Sequence, residues 1–169
     1  VVFASTGHGG RFPADDWGNV YLIDISFTPD GGGLAARARI RLFYDSDEAA
    51  DRGLRSPDNL VWASDGRIYV QEARATKRAT FGADSGIEAS IWALDPTEAS
   101  APRRIAVIDR SAVPRGSTDS KHGEIGAWES SGIIDVSSIL GEGWYLLVQQ
   151  AHFNIGDVEL VEGGQLLAL

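Results

Sequence analysis

An all-β fold, a partial β-propeller of about three blades of four-stranded antiparallel sheet, is what three features of these 169 residues predict. Short β-branched and aromatic runs bounded by Gly, Pro, Asp and Asn recur along the chain, whereas long helical periodicity is scarce. Strand-like segments resemble one another at wide spacing: Val20-Tyr21-Leu22-Ile23-Asp24 matches Ser90-Ile91-Trp92-Ala93-Leu94-Asp95 at an offset of about 71, and Tyr69-Val70-Gln71-Glu72-Ala73-Arg74 matches Leu147-Val148-Gln149-Gln150-Ala151-His152 at 78. The third feature is an uneven strand count. The middle unit holds four strands, the first lacks its leading strand and the last lacks its fourth.

In chain order, strands are expected at 1–6, 18–27 and 38–44, then 59–64, 67–73, 88–95 and 103–109, then 132–137, 143–151 and 164–169. They group into units of roughly 1–50, 51–112 and 113–169, all within one partial propeller domain. Pro29-Asp30-Gly31-Gly32-Gly33 reads as a hairpin loop, and Asp65-Gly66 as a two-residue type I′ turn, because Asp-Gly accepts the positive φ such turns require. A unit of about 70 residues is longer than a common propeller blade of ~40–50, and long loops at 45–58, 74–87 and 110–128 fill the difference. Loops of this length often carry function. Closed propellers have about 4–8 blades, so three leave sheets without neighbours at both ends. An ordinary β-sandwich with coincidental repeats is the competing topology.

Composition narrows the function. A net charge of -9 and a pI near 4.7 oppose sequence-independent nucleic-acid binding and docking on anionic membranes. No Cys is present, which excludes a disulfide scaffold, a thiolate metal site and a cysteine nucleophile within these residues. No apolar run reaches the ~20 residues of a membrane-spanning helix. The chain starts at Val1 and contains no Met, so it reads as part of a longer protein. The acidic, Gly-rich, Cys-free composition is compatible with secretion.

Four constellations can carry chemistry. Asp58 and Asn59, after Ser56-Pro57, stand at the entrance of an inner strand, where side-chain oxygens suit a hard cation such as Ca²⁺ or cap a turn. Alternation places Glu72 on the face of Ile68 and Val70, where a lone carboxylate needs a metal, an Arg or exposure to solvent. Glu129 precedes a strand as Asp58 and Asn59 do, so the repeat would bring these carboxylates to one channel mouth, or leave Glu129 in a solvated loop. His152 follows Gln150, the counterpart of Glu72, and is a candidate ligand, base or surface residue; His8 and His122 are weaker ones. No Walker A motif, nucleophile elbow, His-x-x-x-His pair or EF-hand loop occurs.

Leu54-Arg55-Ser56-Pro57-Asp58-Asn59-Leu60, Asp65–Glu72, Glu88–Pro96, Trp128–Val136, Val148–His152 and Leu160–Leu166 together resemble the later part of the PhoX-type bacterial alkaline phosphatase family. The resemblance implies a secreted β-propeller with Ca²⁺ and iron in its central channel, hydrolysing phosphate monoesters with the metals as Lewis acids. It implies metal ligation by Glu72 and Glu129, then Asp58 and Asn59. The sequence departs from the family at Ala73 and at Gln150-Ala151, and the iron-holding Cys is missing. The alternative is a non-catalytic Ca²⁺-binding propeller segment, whose open sheet edges meet the rest of a propeller or another chain.

Overall fold

The computed structural model describes residues 1–8, 15–74, 80–97, 101–113, 115–119, 121–151, 153–154 and 163–169. The chain is all-β, with three antiparallel sheets of three to four strands stacked face to face and not closed into a ring among the described residues. Sheet 1 is β1 (Val2–Ser5), β2 (Asn19–Asp30) and β3 (Gly33–Asp45), with β2 in the centre. Sheet 2 follows as β4 (Pro57–Trp62), β5 (Ile68–Glu72), β6 (Ser90–Leu94) and β7 (Arg103–Val107), in simple up-and-down order. After the two-residue β8 (Thr118–Asp119), sheet 3 contains β9 (Glu129–Asp135) and β10 (Tyr145–Ala151); β11 (Phe153–Asn154) pairs with β8, and β12 (Gly163–Ala168) completes sheet 3 in the order β12-β10-β9.

The strands lie close to the segments that periodicity marks. The largest extension is the β2–β3 hairpin, in continuous register from Tyr21↔Leu42 to Asp30↔Gly33. Its two-residue turn is Gly31-Gly32, with φ of 54° and 97°, the positive angles that only glycine adopts without strain. The β4–β5 turn differs from the type I′ expectation. Asp65 is not among the residues with positive φ; Gly66 alone is, at 86°. The Gly66 amide donates to Ala63 O at 3.0 Å and the Ala63 amide to Arg67 O at 2.8 Å, a three-residue loop closed by a glycine bulge. The Asp65 carboxylate explains the choice, since it accepts from the Arg67 amide at 2.9 Å and from Tyr69 Oη at 2.8 Å.

The core lies in two layers between the sheets. Val20 and Leu22 of sheet 1 meet Ile68, Val70, Trp92 and Leu94 of sheet 2, with Leu54 beneath them. On the opposite face of sheet 2, Ile91, Tyr69, Val61 and Ile105 pack against Ile133, Tyr145 and Leu147 of sheet 3. Sheet 2 is thus covered on both sides, and its β6 is buried at every position. At 25–30 cal/mol per Å² of buried apolar surface, these two layers are the main source of stability. The repeat offset of about 71 survives in three dimensions, because Val20 and Ile91 both point toward the following sheet. The offset of 78 does not. Gln71 contacts Ser130 of sheet 3, whereas Gln149, paired with Ser130, points back toward sheet 2. A one-residue difference in register reverses every side chain of a strand, so similar segments occupy opposite faces.

Candidate functional site

Arg55 is the centre of the most developed polar site. It leaves a pair of 3₁₀ turns (Ser46–Glu48 and Ala50–Arg52) and is fully buried. The next residue, Ser56, has φ of 41°, a strained value for a side chain other than glycine. It is fixed by its amide donating to Trp17 O at 2.6 Å and its carbonyl accepting from the Ala73 amide at 3.0 Å. This bend aims Arg55 inward and starts β4 at Pro57, directly opposite Glu72.

Glu72 is also fully buried. Its Oε1 accepts from the Arg55 amide at 2.9 Å, Arg55 Nε at 3.2 Å and Trp92 Nε1 at 2.8 Å; Oε2 accepts from Arg55 Nη2 at 2.8 Å and the Ser90 amide at 2.9 Å. Of the partners that the sequence leaves open for this carboxylate, the structure supplies arginine. Arg55 Nη1 continues to Asp51 at 2.9 Å, and Phe81 lies 3.8 Å from the guanidinium carbon. Asp51 in turn accepts from the amides of Gly82, Asp84 and Ser85 at 2.6–2.9 Å, which folds the loop before β6 around the ion pair.

The pKa shifts follow from this packing. Burial is the largest influence on Glu72 and pushes its carboxyl above the usual carboxylate range, against the pull of Arg55. Burial works to lower Arg55, but its bonds to Glu72 and Asp51 outweigh that and hold the guanidinium above its ordinary value. Burial works to raise Asp51, yet Arg55 and the three loop amides hold it below the usual range. Arg104, stacked 4.3 Å from the Trp92 ring, is lowered by burial.

A second cluster organises the loop at 110–128. Arg110 binds Asp119 through Nε and Nη2, donates to the carbonyls of Lys121 and Glu124, and lies 3.4 Å from Glu88. Asp119 also accepts from Trp128 Nε1 at 3.2 Å, and Arg74 pairs with Glu124 at 2.8 Å. Arg110, Asp119 and Glu124 are therefore engaged in holding this loop and in tying it to Arg74 and Glu88.

The remaining sequence candidates occupy corresponding ends of sheets 2 and 3. Asp58 and Asn59 fall in the irregular stretch of β4 between Pro57 and Leu60; Asp58 is exposed and accepts from Asn59 Nδ2 at 2.8 Å. Glu129 opens β9 opposite Gln150, half-buried, and its carbonyl accepts from Gln149 Nε2 at 2.6 Å. The contact of Gln71 with Ser130 joins these two sheet ends. Glu72 points the other way, toward sheet 1. Among the described residues, no group of three or more His, Cys, Asp or Glu side chains comes together. His8 and His122 are exposed, and His152, Lys77 and Arg78 lie outside the described residues.

For a divalent cation, the donor chemistry divides. Both Glu72 oxygens are committed to five donors, and a cation there would have to displace Arg55. Asp58, Asn59 and Glu129 are oxygen donors on the first residues of adjacent strands, the chemistry Ca²⁺ uses. An apolar groove of about 320 Å³ lies between β7 and β12, lined by Ile91, Ile108, Leu147 and Leu167 and by Trp128 and Ser130, the chain neighbours of Glu129.

Asp51, Arg110 and Asp119 are the site residues that pattern reading does not single out. Each is one charged residue in a charged loop, and its partner is up to 34 positions away. Compared with known protein families, with curated proteins and with solved structures, the chain matches none.

Proposed function

We propose that this chain is a non-catalytic propeller segment that works as an assembly module, binding further β-sheet through its two outer faces. One observation carries the reading: both ends of the three-sheet stack present apolar faces. On sheet 1, Phe3, Tyr21, Ile25, Phe27, Ile40 and Leu42 share the face turned away from sheet 2. On sheet 3, Ile134, Leu146, Val148 and Leu166 share the face turned away from sheet 2. Exposed apolar patches larger than a few hundred Å² mark interaction surfaces. The most developed polar site points the same way, since Arg55, Glu72 and Asp51 satisfy one another rather than facing a cleft. The test is binding of an apolar fluorescent dye by the wild type, Ile40→Glu and Leu166→Glu, with folding followed by circular dichroism. Dye binding or association in the wild type, reduced several-fold in each folded variant, supports the reading. A wild-type chain that neither associates nor binds dye overturns it.

A second reading is favoured by Asp58, Asn59 and Glu129 at neighbouring strand starts: a Ca²⁺-dependent, phosphatase-like propeller acting on phosphate monoesters, with Arg55 rather than a metal as the partner of Glu72. Iron, the other metal implied by the resemblance, finds no thiolate in this Cys-free chain. Calorimetric Ca²⁺ titration tests this reading. Binding lost in Glu129→Gln and Asp58→Ala, together with chelator-sensitive hydrolysis of a chromogenic phosphate ester, supports it. A folded chain that takes up no Ca²⁺ overturns it.

A further inference from the structure

We propose that Ser5, Asp15, Asn19 and Asp45 form a Ca²⁺ site at the end of sheet 1. It is separate from Glu72, Asp58, Asn59 and Glu129, which lie on sheets 2 and 3. The observation behind it is a stranded oxygen. Asn19 is 5% exposed, and its Oδ1 is shielded from solvent with no hydrogen-bond partner among the described residues. Buried side-chain oxygens are rarely left in that state.

The strand ladder assembles the donors. Asn19 opens the central strand β2, with Ser5 of β1 opposite it on one side and Asp45 of β3 on the other. The Ser46 amide donates to Gly18 O at 3.1 Å, so Gly18 and Ser46 are a hydrogen-bonded pair. The next pair, Asn19 and Asp45, is then of the closer kind, about 4.5 Å between Cα atoms. Partners across a ladder share a face, so Ser5, Asn19 and Asp45 stand in one row. Asp15 lies over that row: its Oδ1 accepts from Asn19 Nδ2 at 2.7 Å and its Oδ2 from Ser5 Oγ at 2.6 Å. Asp45 Oδ1 accepts from the Asp47 amide at 2.9 Å, which commits one oxygen of that carboxylate. The Asn19 amide is thus held at two carboxylates, with its nitrogen on Asp15 and its oxygen unmet.

The chemistry selects a hard cation. Ser5 and Asn19 both donate to Asp15, and no Lys or Arg of the described residues pairs with Asp15 or Asp45. Asn19 Oδ1 is shielded by this chain's own atoms, so its partner is an ion or a water rather than another protein surface. Water brings no charge to two carboxylates. Ca²⁺ takes about 6–8 oxygens from carboxylates, amide carbonyls and waters at about 2.3–2.6 Å, closer than the about 2.7–2.8 Å of a hydrogen bond from water. Two carboxylates match its charge, and Ser5, Asp15 and Asp45 are only half-buried, which leaves access for its remaining waters. The ion would also brace the buried pair. Asp47 binds the amides of Asp16 and Trp17, and Trp17 O accepts from the Ser56 amide at the bend that aims Arg55. Joining Asp15 to Asp45 ties both sides of that connection.

The experiment is Tb³⁺ luminescence excited through tryptophan, with Ca²⁺ calorimetry, on the chain freed of metal by a chelator. Trp17 stands two residues from both Asp15 and Asn19, so Tb³⁺ held there is expected to emit. Ca²⁺ is expected to quench that emission by displacement, and Mg²⁺ to need at least tenfold more. Asp15→Asn and Asp45→Asn, each with wild-type circular dichroism, are expected to weaken Ca²⁺ binding at least tenfold; an Asn at 45 can still cap the 3₁₀ turn. Glu129→Gln and Asp58→Ala are expected to leave it unchanged. Asn19→Asp keeps the proposal testable if those variants fold poorly. It removes the donor to Asp15 and adds a carboxylate, so its melting temperature is expected to fall in chelator and to recover in Ca²⁺. An Asn19→Asp chain equally destabilised with and without Ca²⁺ overturns the site. Ca²⁺ binding lost in Glu129→Gln and Asp58→Ala but kept in Asp15→Asn and Asp45→Asn overturns it too, and moves the ion to sheets 2 and 3. A wild-type chain with neither Tb³⁺ emission nor Ca²⁺ heat overturns it and leaves water as the partner of Asn19.

Discussion

The Arg55–Glu72 pair shows how a single residue can be set for structure or for chemistry. Removing one partner of a buried pair leaves an uncompensated charge, which costs about 3–5 kcal/mol. Asp51 remains beside Arg55, so Glu72→Gln is expected at the low end, about 3 kcal/mol, read as a lower urea midpoint. The double variant Arg55→Met/Glu72→Leu should recover much of the loss, because no lone charge stays behind. Acid stability follows from the neighbouring aspartates. Asp51 is held down as described, and Asp135 is held below the usual range by the Ser137 side chain and the Ser64 amide. Groups whose folded pKa lies below the unfolded value contribute stability above about pH 4 and lose it as pH falls through the folded pKa. Glu72, raised by burial, acts in the opposite sense, but Asp51, Asp65, Asp109, Asp119 and Asp135 are all lowered. The melting temperature is therefore expected to fall below about pH 4, and Asp51→Asn to flatten that limb while lowering stability at neutral pH. Sequence alternation correctly placed Glu72 beside Ile68 and Val70 and left a metal, an arginine or solvent to meet its charge. It could not choose the partner, because Arg55 reaches Glu72 only through the bend at Ser56.

Among the elements, turns and loops separate what local sequence dictates from what packing selects. Gly31-Gly32 forms a two-residue turn because nothing surrounds it and glycine suffices. Gly126 is constrained by its surroundings: at φ of 72°, an added Cβ would meet the Phe81 ring at 2.5 Å. Phe81 in turn lies under Arg55, so this glycine lets the 110–128 loop close over the buried pair. Gly126→Ala is expected to cost 2 kcal/mol or more at about twice the effect of Gly143→Ala, which meets open space and bears only the ~1–2 kcal/mol of left-handed backbone. Thermal unfolding of the two variants checks this. The strand segments were legible because alternation is a local signal. The long β2–β3 arm was only partly so, because the expected strands stop at 27 and resume at 38, and the Pro29-Asp30-Gly31-Gly32-Gly33 stretch between them reads as a longer loop until the register pairs it down to Asp30↔Gly33.

At the scale of the molecule, the central sheet is protected and the outer ones are half-covered. Amide exchange is expected to be slowest in β5 and β6, whose sheet is packed on both sides. The amides of the β2–β3 arm, exposed on both faces, are expected to exchange much faster than those of β5 and β6, and equal protection would show that the arm is covered. No helix of the described residues is long and apolar enough to cross a membrane. The sequence by itself determined the all-β class, the strand segments and the uneven three-sheet count, because period-2 patterning and glycine turns act over a few residues. Only the tertiary structure decided which face each strand presents, that arginine neutralises Glu72, and that the stack leaves apolar surface at both ends. Those outcomes depend on register and on contacts between residues far apart in the chain, where a one-residue shift exchanges buried for exposed.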